Sequence, residues 1–105
     1  MSSRVYVCRG AEIPEGRSFA AEIDGKPIAV YRIENQLYAI DDVCPHMGAS
    51  LSAGPVENLI VTCPWHYWRF RLTDGAWADN PRIRIGCHGV VEEEGCIYID
   101  TAPKE

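Results

Sequence analysis

Apolar and polar residues alternate in short runs along most of the chain, and nowhere do apolar residues recur at helical spacing over three turns. The pattern predicts an all-β protein. A first strand covers 4–8, and Ile13-Pro14-Glu15-Gly16 reads as a turn, with Pro at its second position and Gly at its end. Segments 17–23 and 26–33 flank Asp24-Gly25, a strong hairpin signal, and 36–40 follows the turn Glu34-Asn35 as a third paired strand. Further short strands are expected at 59–62, at 68–72 ending on Thr73-Asp74-Gly75, and at 82–85, 89–92 and 96–100.

Between Asp41 and Asn80 the composition changes: all three Trp, two of the three His and two of the five Cys fall there, among turns rich in Pro and Gly. This predicts a single domain over 1–105, in which a small subdomain, 41–80, is inserted into a β base built from 1–40 and 81–105. A 25-residue C-terminal piece cannot form its own core, so the last strands are expected to rejoin the first meander. The chain has 105 residues, 47% apolar and 24% charged, which suits one folded core. Its net charge of −5, with no Lys/Arg run, removes the electrostatic footprint of a nucleic-acid binder. The N-terminal segment has no apolar export signal and no stretch is long and apolar enough for a membrane helix, so the expectation is a cytoplasmic protein with no membrane partner.

Five cysteines in a chain without an export signal point to metal ligation plus free thiols rather than to disulfides. Cys44-Pro45-His46 and Cys63-Pro64-Trp65-His66 are the candidates, two hooks separated by 16 residues, each offering one thiolate and one imidazole. Pro directly after each Cys presets the local backbone, which helps two side chains converge on one small object. A Cys₂His₂ set also suits zinc, but zinc hooks usually pair Cys with Cys and His with His. Mixed hooks suit a two-iron cluster with both Cys on one iron and both His on the other.

On these residues the chain resembles the Rieske [2Fe-2S] family, in particular its ferredoxins and the small subunits of assimilatory nitrite reductases. The specific part of the resemblance runs from Cys44 to Gly75; the turn 13–16, Tyr38-Ala39-Ile40 and Gly95-Cys96-Ile97-Tyr98-Ile99 resemble the family's framework. The resemblance implies a Rieske-type fold of antiparallel sheets and one [2Fe-2S] cluster. Cys44 and Cys63 would hold the inner iron, His46 and His66 the outer one, and the Asn80-Pro81 loop would cover the cluster. It also implies a soluble one-electron carrier rather than an enzyme, passing electrons from a flavin-dependent reductase to a terminal oxygenase. The alternative is a nitrite reductase small subunit, bound to the large subunit. Tyr67 departs from the family, which commonly has Gly directly after the second ligand His. High-potential members carry hydroxyl side chains where this chain has Trp68 and Phe70, which implies a potential near the low end of the Rieske range, about −150 mV.

Other residues have plainer readings. Cys8, Cys87 and Cys96 sit in or beside strands and read as small core or edge residues, and His88 reads as a turn residue. Trp68, Phe70 and Leu72 alternate with Arg69 and Arg71, so the apolar three are expected to face the core and the arginines solvent. Arg82 and Arg84 alternate with Ile83 and Ile85 in the same way, and the four arginines could form a basic docking patch. Trp65, inside a ligand hook, is the aromatic best placed for partner contact.

Overall fold

The computed structural model describes residues 4–23, 25–42, 50–64 and 68–100. Three of the expected ligands, Cys44, His46 and His66, lie outside these ranges, as do Trp65 and Tyr67. The described residues form strands β1 (Arg4–Arg9), β2 (Ser18–Ile23), β3 (Lys26–Ile33), β4 (Gln36–Asp41), β5 (Val56–Glu57), β6 (Ile60–Thr62), β7 (Arg69–Arg71), β8 (Ala76–Trp77), β9 (Asn80–Arg84), β10 (Cys87–Glu93) and β11 (Cys96–Asp100). Two 3-10 turns, Gly10–Glu12 and Leu51–Ala53, complete the order. No helix among the described residues is long and apolar enough to cross a membrane. The all-β reading holds.

Six strands make the base sheet in the order β1-β11-β10-β4-β3-β2, and five make a smaller sheet in the order β5-β6-β7-β8-β9. All pairings are antiparallel. Turn chemistry sets the hairpins. Glu34 and Asn35 both have positive φ, 51° and 65°, as a two-residue turn between twisted strands requires. Their backbone N–H groups donate to the Glu15 carboxylate at 2.5 and 2.9 Å, which ties the 13–16 turn to the hairpin tip. The same two-residue geometry recurs at Asn58-Leu59 and Glu94-Gly95. Leu59, expected to open a strand, is therefore a turn residue, and β6 starts at Ile60.

The larger correction concerns β9. The residue pattern predicts a loop at Asn80-Pro81 and a return of 82–85 to the base. Instead Asn80–Arg84 pairs with β8, through Trp77↔Asn80 and Ala76↔Arg84, as the outer strand of the small sheet. The physical reason is local: only Ala78 and Asp79 separate β8 from β9, so the chain must fold straight back on itself. Pro81 then sits on an edge strand, where a missing N–H is tolerated. The chain rejoins the base at Gly86, whose carbonyl accepts from the Asp41 N–H at 2.9 Å and whose N–H donates to Asp41 Oδ2 at 2.8 Å. A Cβ at Gly86 would stand 2.7–2.9 Å from that carboxylate, so only glycine allows this approach.

Two cores follow from the alternation along β3 and β4. Ile28, Val30 and Ala39 point into a base core with Cys8, Ile13, Ile23, Ile97 and Ile99. Their neighbours Ala29, Tyr31 and Ile40 point the other way, into a second core shared with Leu51, Val61, Cys63, Phe70 and Leu72 of the smaller unit. Each strand thus serves both cores, which is why Ile28-Ala29-Val30-Tyr31 is an unbroken apolar run.

Candidate metal centre

Cys63 is the expected ligand that lies within the described residues. It follows β6 and is fully buried in the second core. Its backbone N–H donates to the Trp68 carbonyl at 2.6 Å, closing the base of the segment that carries Pro64 to Tyr67. One residue earlier, the Thr62 N–H donates to the Pro55 carbonyl at 2.9 Å. Gly54 lies so close to Thr62 that a Cβ there would overlap its carbonyl oxygen and stand 3.2 Å from Pro64 Cδ. The thiol-bearing end of β6 is therefore gripped from both sides.

The segment carrying Cys44 and His46 leaves the described residues at Asp42 and returns at Ser50. Asp42 ties those two ends together. Its buried carboxylate accepts from the Ser52 N–H at 2.7 Å, from the Ser50 hydroxyl at 2.9–3.0 Å and from the Ser52 hydroxyl at 3.0 Å. Its own N–H donates to the Pro27 carbonyl at 2.9 Å, anchoring the clasp on β3. Leu51, inside the clasp, is fully buried against the same core as Cys63. The bases of both hooks are thus brought to one core by separate anchors.

Around this core the expected inward face of 68–72 is present: Phe70 and Leu72 are fully buried, and Trp68 packs against them partly exposed. Trp68 stacks on Trp77 with centroids 4.0 Å apart and planes 8° from parallel. The outward arginines are less available than their spacing suggested. Arg69 pairs with Asp79 at 2.7 Å, and Arg71 with Asp74 at 2.7 Å, leaving Arg82 and Arg84 exposed and without an ion pair among the described residues. Asp74 also accepts from the Ala76 N–H, and that bond, with Arg71 beside it, holds its carboxyl below the usual range.

His88 is not a turn residue. It lies in β10 and its Nε2 is 2.8 Å from Asp41 Oδ1, a pairing across 47 positions that no local motif announces. Cys8 is buried, and burial pushes its thiol pKa up, away from redox reactivity. Cys87 and Cys96 are partly buried strand residues. Among the described residues, two buried polar atoms have no hydrogen-bond partner, Tyr31 Oη and Trp77 Nε1. Both residues border the core that holds Cys63.

The family model of the Rieske [2Fe-2S] domain matches residues 3–90. The chain belongs to the Rieske [2Fe-2S] family. It is 33% identical over 95 residues, 89% of each chain, to ferredoxin CarAc of Metapseudomonas resinovorans. Among solved structures it is similar to the ferredoxin of carbazole 1,9a-dioxygenase from Nocardioides aromaticivorans IC177, with a TM-score of 0.86 and 30% identity over 97% of this chain and 99% of that one. It is also similar to a putative NADH-dependent nitrite reductase small subunit from Mycobacterium tuberculosis, with a TM-score of 0.89 and 25% identity over 99% of both. Against the matched chain in structures of the oxygenase and ferredoxin complex of carbazole 1,9a-dioxygenase, it spans only 29% of that chain's length, with a TM-score of 0.89 and 27% identity.

Membership of the Rieske family brings one [2Fe-2S] cluster. The donor chemistry here fits that group. A buried Cys63 sulfur suits a thiolate-bound iron, and the apolar core around it suits a cluster whose net charge is small. The orphaned Tyr31 hydroxyl fits as well, since cluster sulfurs are hydrogen-bond acceptors.

Proposed function

We propose that Cys44 and Cys63 bind one iron of the cluster and His46 and His66 the other, within a single Rieske domain whose smaller unit is inserted into the β base. The smaller unit then extends through β9 rather than ending at residue 80. When bound, the cluster supplies one-electron exchange. The residues of this chain hold it. The Asp42 clasp fixes the first hook and the Cys63–Trp68 hydrogen bond the second, while Leu51, Phe70 and Leu72 keep water from the thiolate side.

The function best supported is a soluble, cytoplasmic one-electron carrier, taking electrons from a flavin-dependent reductase and delivering them to a terminal oxygenase. The observation that carries it is the likeness to the ferredoxin of carbazole 1,9a-dioxygenase over nearly the full length of both chains. The likeness to a nitrite reductase small subunit supports a second reading, a component held on the large subunit of such an enzyme.

The site is tested on purified protein. Two iron and two acid-labile sulfides per chain, with a rhombic Rieske EPR signal on reduction, are expected; stoichiometric zinc without sulfide overturns the assignment. The two partner readings separate on sizing of native extract. A carrier elutes at its own size and is reduced by a flavin reductase, whereas co-elution with a sirohaem reductase in fixed ratio establishes the subunit.

A further inference from the structure

Tyr31 lies on β3, in the base sheet, with its side chain pointing into the core shared with the smaller unit. It is 1% exposed, and its hydroxyl has no hydrogen-bond partner among the described residues. A buried hydroxyl without a partner is destabilising, and native cores rarely keep one. Burial, with the nearby Asp42 carboxylate adding to it, raises the phenol pKa well above its ordinary value. Yet Asp42 is already engaged: Oδ1 and Oδ2 take the two serine hydroxyls and the Ser52 N–H. Tyr31 thus stays a neutral phenol with one proton to donate. Among the fully buried members of the core it joins, Ala29, Ile40, Leu51, Val61, Phe70 and Leu72 offer no side-chain acceptor and Cys63 offers sulfur; Tyr38, packed against that core, is only partly buried.

Neither Trp68 nor Phe70, the β7-side positions expected to influence the cluster sulfurs, carries a hydroxyl. We propose that Tyr31 supplies one from the opposite sheet, its Oη–H donating to sulfur on the Cys63 side of the cluster and thereby setting the potential. The inference rests on Cys63 being a ligand. Reduction places one more electron on the cluster and makes its sulfurs better acceptors, so the O–H···S bond is stronger in the reduced form and favours reduction. Tyr31 acts as a tuning residue and moves no electron itself.

The experiment compares wild type and Tyr31→Phe as cluster-loaded protein. Iron and sulfide content come first; a wild type without them overturns the ligand reading, and this inference with it. With equal content, Tyr31→Phe is expected to shift the midpoint potential downward. It is also expected to lose one exchangeable-deuteron coupling to the reduced cluster in pulsed EPR after exchange into D₂O. An unchanged potential, or an unchanged coupling, overturns the proposal. Should Tyr31→Phe fail to load, 3-fluorotyrosine at position 31 keeps the question open to measurement: its more acidic hydroxyl is expected to shift the potential upward, and no shift overturns the proposal. A hydroxyl satisfied by buried water gives a deuteron coupling that survives in Tyr31→Phe, which also counts against it.

Discussion

The base sheet and the smaller sheet are both antiparallel, but they are held in different ways. In the base, β2, β3 and β4 pair in continuous registers of six residues, and Arg32 ties the 13–16 turn to the sheet through the Ile13 carbonyl at 2.6 Å and Glu92 at 3.1 Å. In the smaller sheet the pairings run over one to three residues, too short for stability by themselves. Charge divides the same way. Residues 50–86 carry four Arg against three acids, whereas the rest of the chain carries six basic and twelve acidic residues. The base is a scaffold stabilised by its own ladders; the smaller unit depends on its shared core and on side-chain clasps.

Removing the cluster is the strongest way to break the comparison. Chelation of iron, or Cys63→Ser, is expected to abolish the Rieske EPR signal and amide protection in β5 to β9 while leaving that of β2 to β4 and β11 largely intact, because ligation and local order are coupled. Uniform loss of protection in hydrogen exchange refutes the division.

Core truncations sharpen it. Phe70→Ala is expected to lower unfolding free energy by about 3–5 kcal/mol and Ile99→Ala by about 2–5 kcal/mol, both being fully or almost fully buried. Phe70→Ala alone should also accelerate cluster loss, measured as visible bleaching under a chelator. Equal bleaching rates show that the two cores are not separable.

Asp42→Ala leaves the Ser52 N–H and two hydroxyls without their acceptor, at a cost of about 1–3 kcal/mol. Denaturant melts report that loss. Asp42→Asn, which keeps an acceptor, should recover part of it, and no recovery argues against the clasp.

The charge division predicts a smaller, kinetic effect. Reversing Arg82 and Arg84 should slow association with an acidic partner severalfold at low salt and little at high salt, while reversing the paired Arg69 should do less. Stopped-flow reduction across salt concentrations checks the order.

The smallest effect is on pH dependence, with one carboxylate in each sheet. Backbone N–H donors from Asn35 and Glu34 hold Glu15 below the usual range, and the Ala76 N–H does the same for Asp74. Because both folded pKa values lie below the unfolded ones, their contribution is complete above about pH 5 and is lost as pH falls through the folded values. Glu15→Gln and Asp74→Asn should each flatten the acid limb of a denaturation-midpoint profile; an unaltered limb removes the effect.

The β nature of the chain and the three base hairpin segments were legible because each rests on near neighbours: period-two alternation and a turn pair. Phe70 and Leu72 facing inward followed from the same alternation. Strands β5 and β8 were not legible, since two residues carry no period, and Leu59 was misplaced because a positive φ at an apolar residue has no signal in composition. Only the tertiary structure decided that β9 closes the smaller sheet, that His88 meets Asp41, that Asp42 binds the ends of a hook, and that the Tyr31 hydroxyl is buried without a partner beside the Cys63 core. Each depends on residues far apart in sequence or on a chain reversal that sheet pairing settles. Local pattern fixes which face a side chain takes, and only packing fixes what it meets there.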